Sequence, residues 1–241
     1  MALRQPHDPH PDWPRRAAVV ALAATLCGCS ALRVPRDAPP QTLPPAPPTP
    51  PSPPDDVPSA EDIARANPQV SIAVARAIEH VIRQRSDHPR AAVLDFSAHS
   101  STPRFHLIDR ASGRVLQSFR VAHGDGSEGT RNDGYAEVFS NVPNSNASSL
   151  GLYRTAETYI SEVWPGLAMR MDGLSPTNSN ARSRFIVIHA ARYMEPESWK
   201  GKKAGRPGLS DGCFVFSKAD RDAIVSNLQG GALIYAIHEK P

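Results

Sequence analysis

Two residues in this chain have the chemical type and the setting for nucleophilic catalysis, and they are Cys213 and His189. Cys213 closes a glycine-rich run, Gly205-Arg-Pro-Gly-Leu-Ser-Asp-Gly-Cys213, and Phe214-Val-Phe216 follows it as a short buried strand. His189 closes Arg184-Phe-Ile-Val-Ile-His189, an apolar run bounded by charge that reads as a core strand. A histidine where one strand emerges and a cysteine where a loop enters the next can face each other across a sheet. The imidazole then takes the thiol proton and the thiolate attacks an acyl carbon. Gly212 permits a tight turn, which would aim the amides around Cys213 at a developing oxyanion. The alternative for Cys213 is a small buried hydrophobe. His123, in Val121-Ala-His-Gly-Asp-Gly126, is either a hydrogen-bonded structural histidine or a residue lining the same site.

The compartment favours a reactive thiol. Residues 1–28 read as a signal peptide: a polar start with Arg15 and Arg16, then the apolar run Ala17–Leu26, too short to span a bilayer. Leu26-Cys-Gly-Cys29 resembles a bacterial lipobox, which would place a diacylglycerol on Cys29; an ordinary cleaved leader is the alternative. Residues 29–58 are dense in proline and read as an extended spacer between that lipid anchor and a folded body. The expected location is the periplasm, with the lipid tail in a membrane and Ser30 fitting outer-membrane sorting. Structural cysteines in exported proteins come in pairs, so the unpaired Cys213 is better explained by reactivity. The net charge of +3 has no clustered basic stretch behind it, which argues against a nucleic-acid partner. None of the nine histidines stands in an HExxH or paired spacing, so neither a metal nor another cofactor is expected.

The remaining body, 59–241, divides into packing helices over 59–90 and a β-rich core over 91–241. Ser59 caps a first helical turn, and Asn67-Pro68 is a start signal for a second helix whose apolar face carries Val70, Val74, Ile78 and Val81. Ala91–Phe96, Phe105–Asp109, Val115–Val121 and Ala168–Leu174 have strand composition. Ser217 starts a last helix that Gly230-Gly231 ends, and Ala232–Ile237 closes the chain as a strand. The fold class is mainly β with flanking helices.

With these pieces placed, the sequence resembles the YkuD-like L,D-transpeptidases, in the branch of murein L,D-transpeptidase catalytic domains. The matching runs are VAHG at 121–124, SN at 140–141 with SSLGLYRT at 148–155, LSPTNSNARSRFIVIHA at 174–190 and GRPGLSDGC at 205–213. The resemblance implies a β-sandwich or barrel-like catalytic domain and acyl transfer on peptidoglycan stem peptides. Cys213 would be the nucleophile, His189 the base, Gly212 and Cys213 the oxyanion donors, and Ser210 the residue that shapes the loop. Water as acceptor would make it an L,D-carboxypeptidase or a crosslink hydrolase instead. His123, Arg206 and Asp211 become candidate substrate contacts, Arg206 through bidentate pairing with a carboxylate. Asp211, Ala190 and Phe214 depart from the family pattern, and Asp211 would raise the thiol pKa by like-charge repulsion. A degenerate site on a wall-associated lipoprotein is therefore the rival of a different class.

Overall fold

The computed structural model describes residues 57–201 and 205–239, all within the unit Ser52–Pro241. The expected leader, Cys29 and the spacer up to residue 56 lie outside the described residues. Helices α1 (Ala60–Ala66) and α2 (Ile72–Arg83) come first, followed by strands β1 (Arg90–Asp95), β2 (Phe105–Asp109) and β3 (Val115–Phe119). Then come β4 (Gly151–Ser161), β5 (Gly166–Gly173), β6 (Val187–Ala190), the short α3 (Pro196–Trp199), β7 (Phe214–Phe216), α4 (Lys218–Leu228) and β8 (Leu233–Ile237).

All eight strands join in one mixed sheet, ordered β3-β2-β1-β8-β4-β5-β6-β7. The two ends of that order meet. Phe105 on β2 packs edge-to-face on Phe216 of β7, with ring centroids 5.2 Å apart. Ala122 N donates to Val215 O at 3.0 Å, tying the segment after β3 to β7. A sheet whose last strand touches its second strand and the segment that follows its first has curled on itself, which is the barrel-like class expected. Its interior is a single cluster in which Leu94, Phe105, Tyr153, Met169, Ile188, Phe214 and Ile234 are fully buried or nearly so. The opposite face of β1, β2 and β8 offers Ala91, Val93, Ile108 and Leu233 to Ile63, Val74, Ile78 and Val81 of α1 and α2. Period-2 alternation along β1 thus serves two cores at once.

Three local expectations change. Helix α2 is capped by Ser71, whose Oγ accepts from Val74 N at 3.2 Å, rather than started by Asn67-Pro68. Asn67 is buried at the end of α1, where its amide donates to Ile63 O and Gly113 O and accepts from Val115 N. The run Arg184–His189 is strand only from Val187, because Phe185 takes a left-handed φ of +57° and Ile186 N turns back to Ala181 O. The longest strand, β4, has little signal in the sequence: a register shift between Thr155 and Thr158 interrupts its alternation.

Candidate active site

Strands β6 and β7 run parallel, with Ile188 opposite Phe214 and His189 opposite Val215. Ile188, Phe214 and Phe216 point into the main core, so Val187, His189, Cys213 and Val215 share the other face. Continuing the register puts Cys213 beside Val187, a diagonal neighbour of His189. Strand geometry sets such Cα atoms roughly 8 Å apart, a gap that a cysteine and an imidazole side chain can close together.

The tautomer of His189 follows from its own strand. Nδ1 lies 3.1 Å from Ala190 O, an atom that can only accept, so Nδ1 carries the proton and Nε2 keeps its lone pair. Trp164, in the turn between β4 and β5, stacks on the ring at 4.5 Å with a 25° interplanar angle. Burial pulls the His189 pKa down to about 4, against the upward effect of the Ala190 carbonyl. The imidazole is neutral at pH 7, as a proton acceptor must be.

Cys213 is also enclosed, 4% exposed among Ala122, Val187, Met194 and Val215. Its Sγ donates to Phe185 O at 3.5 Å, and among the described residues no hydrogen bond joins it to His189. Burial pushes the thiol pKa up to about 12; the Val187 backbone and Arg184 pull against this, and Asp211 adds to it. The carboxylate acts in the direction its charge dictates, but desolvation is the larger cause. The resting pair is therefore thiol and neutral imidazole, not thiolate and imidazolium.

The loop before Cys213 is held by specific contacts. Gly212 has φ +104°, and a Cβ there would lie 2.7 Å from Ala147 O, so both backbone and space require glycine. Ser210 Oγ donates to Cys213 O at 2.9 Å and accepts from Gly212 N at 3.2 Å. The Gly212 amide thus donates to the serine hydroxyl in this conformation.

The candidate substrate contacts fall elsewhere. His123 is fully buried and bonded on both nitrogens, to Arg104 Nη2 at 2.9 Å and Glu128 Oε1 at 3.0 Å. Arg206 turns to Glu128 at 3.3 Å and to Asn132 Oδ1, with its side chain 11% exposed. Both side chains are engaged by partners within the protein. Sequence reasoning treated Arg184 only as the charge bounding a strand. It donates to Ser140 O, Ser149 Oγ, Ser145 Oγ and Ala147 O, pinning the 140–149 segment against the Gly212 turn. Trp164 was missed altogether; its only signal was an aromatic residue in a turn-like stretch, Val-Trp-Pro-Gly.

The family profile of the L,D-transpeptidase catalytic domain matches residues 63–237, and the chain belongs to that family. Among solved structures the chain is similar to an L,D-transpeptidase from Mycobacterium smegmatis (12% identity, 62% of this chain and 58% of that one, TM-score 0.37). It is similar also to one from Stackebrandtia nassauensis (12% identity, 76% and 77% covered, TM-score 0.37). The chain thus spans less than two thirds of the first of these proteins. Family membership rests on the profile match. A search of curated proteins finds no match.

Proposed function

We propose that this protein carries out cysteine-dependent acyl transfer on peptidoglycan stem peptides. The observation that carries the reading is the placement of His189 and Cys213 on one face of adjacent strands, with the Ala190 carbonyl holding the Nε2 lone pair available. As substrate enters, Nε2 accepts the Sγ proton while sulfur attacks the acyl carbon. The C–S bond forms, the peptide C–N bond breaks, and His189 returns its proton to the departing D-alanine amine. An amine of a second stem then attacks the thioester. A new C–N bond forms, the C–S bond breaks, and the proton passes back through His189 to the thiol. Water in place of the amine would give a carboxypeptidase.

A second reading has its own observation. The thiol sits in apolar surroundings against Phe185 O, and among the described residues no hydrogen bond joins it to His189. That combination suits a wall-associated protein with a closed, inert site. One experiment separates the two: incubation with tetrapeptide muropeptides and, in parallel, with a carbapenem. The enzymatic reading expects D-alanine release and a single drug adduct on the Cys213 peptide, both lost in Cys213→Ala. No D-alanine release by the wild-type chain, or no adduct at saturating drug, favours the inert site, and full D-alanine release by Cys213→Ala removes Cys213 as the nucleophile. Product analysis reads the acceptor, crosslinked dimer for an amine and tripeptide for water.

The proposal includes an envelope location, with Cys29 acylated and residues 29–58 spanning from a membrane toward the wall. Labelled fatty acid should be incorporated into the wild-type chain and not into Cys29→Ala.

A further inference from the structure

A line of buried charged side chains stands apart from the cysteine–histidine pair. Arg104 is fully buried and donates to Val121 O through Nε and Nη2, to Ala98 O through Nη1, and to His123 Nδ1 at 2.9 Å. A guanidinium only donates, so Nδ1 accepts and the His123 proton sits on Nε2, which donates to Glu128 Oε1 at 3.0 Å. The same oxygen meets Arg206 Nη1 at 3.3 Å, and Arg206 reaches on to Asn132 Oδ1. The chain Arg104–His123–Glu128–Arg206 runs without a break from the residue before β2 to the loop that ends on Cys213.

The main chain repeats the attachment nearby. Ser210 N donates to His123 O at 3.0 Å and Asp125 N donates to Ser210 O at 2.7 Å. Segment 123–128 therefore grips the cysteine loop twice, at Arg206 by side chain and at Ser210 by backbone. Ser210 Oγ then fixes the Gly212 turn and the Cys213 carbonyl. Ion pairs this deeply placed add little net stability, because desolvation offsets their attraction; what they can contribute is one defined arrangement. Gly205, Pro207 and Gly208 give the loop few side chains with which to define itself.

We propose that this charge chain is a latch that sets the position of the nucleophile, with Glu128 and Arg206 as positioning residues. This rests on the acyl-transfer reading for its rate consequence, and it replaces the expected role of Arg206 as a substrate contact. Two measurements on the full chain test it: hydrogen exchange of the 208–213 amides, and the concentration dependence of carbapenem acylation at Cys213. Arg206→Met should speed exchange in the loop and lower the limiting acylation rate about tenfold or more, since small misplacements of a reacting group are costly. The half-saturating drug concentration should stay near wild type, and Arg206→Lys should recover most of the rate. Glu128→Gln, which keeps the His123 contact in shape, should reproduce the Arg206→Met pattern if both act through the pair.

Unchanged exchange in both folded variants overturns the latch. So does a wild-type limiting rate with a raised half-saturating concentration, which would make Arg206 a substrate contact after all. Were the wild-type chain to form no adduct, the enzymatic reading would fail alone, and the exchange measurement would still decide the latch.

Discussion

At the scale of single residues, the pH behaviour of the two buried groups is the sharpest consequence. His189 titrates near 4 when folded and near 6.5 when unfolded. Between those values the unfolded chain binds the extra proton, so stability present above pH 6.5 is lost as pH falls toward 4. Cys213 titrates near 12 when folded against 9.0 ordinarily, so the unfolded chain ionises first and stability is lost as pH rises above 9. Denaturant midpoints should be flat between about pH 6.5 and 9 where these two groups govern them, and His189→Gln should remove the acid-side slope that His189 contributes. Acylation should likewise hold level down to about pH 5, because the base protonates only near 4. Trp164→Ala should cost about 0.5–1.5 kcal/mol of stacking and, by admitting water, return the His189 titration toward its ordinary value. Imidazole chemical shifts followed against pH would read that directly; no change would mean the indole does not shield the ring.

At the scale of elements, Asn67 and Ser71 separate two accounts of how α2 begins. Were Asn67 its cap, Asn67→Asp would be neutral, since aspartate caps as well as asparagine. In the structure its amide donates to Ile63 O and Gly113 O, joining the end of α1 to the turn between β2 and β3. A carboxylate facing two carbonyls loses both bonds, so Asn67→Asp should cost about 2 kcal/mol or more in urea unfolding. Ser71→Ala should cost about 1 kcal/mol. The Gly212 turn makes a parallel case. Gly212→Ala sets a Cβ against Ala147 O at a left-handed φ, for a cost of about 1–3 kcal/mol, and should slow acylation more than the stability loss alone explains.

At the scale of the molecule, the curled sheet is what brings the 123–128 segment against the cysteine loop. Its closure is visible in the Phe105–Phe216 contact between strands that stand second and last in the sheet order. Phe216→Ala should cost about 3–5 kcal/mol, and a double-mutant cycle with Phe105→Ala should return a coupling of about 0.5–1.5 kcal/mol. Additive effects would mean the ends of the sheet are stabilised independently.

The sequence by itself determined what depends on near neighbours along the chain. Ser59 and Ser217 cap α1 and α4 where a hydroxyl precedes an apolar periodic run. The apolar stretches of β1, β2, β7 and β8 stand within a residue or two of where composition put them, and the runs bearing Cys213 and His189 were legible with their family character. Only the tertiary structure decided the rest. His123 and Arg206 are polar residues beside glycines, a pattern equally at home in a pocket or a buried bridge; the bridge forms because folding brings Arg104 to His123 and Glu128 to Arg206. The depth at which Cys213 sits depends on Phe185, Val187 and Met194, strung along the chain and gathered only when the sheet curls. Local pattern fixes which way a side chain faces, whereas burial, and with it the pKa of a thiol or the partner of a guanidinium, is set by what distant chain brings to that face.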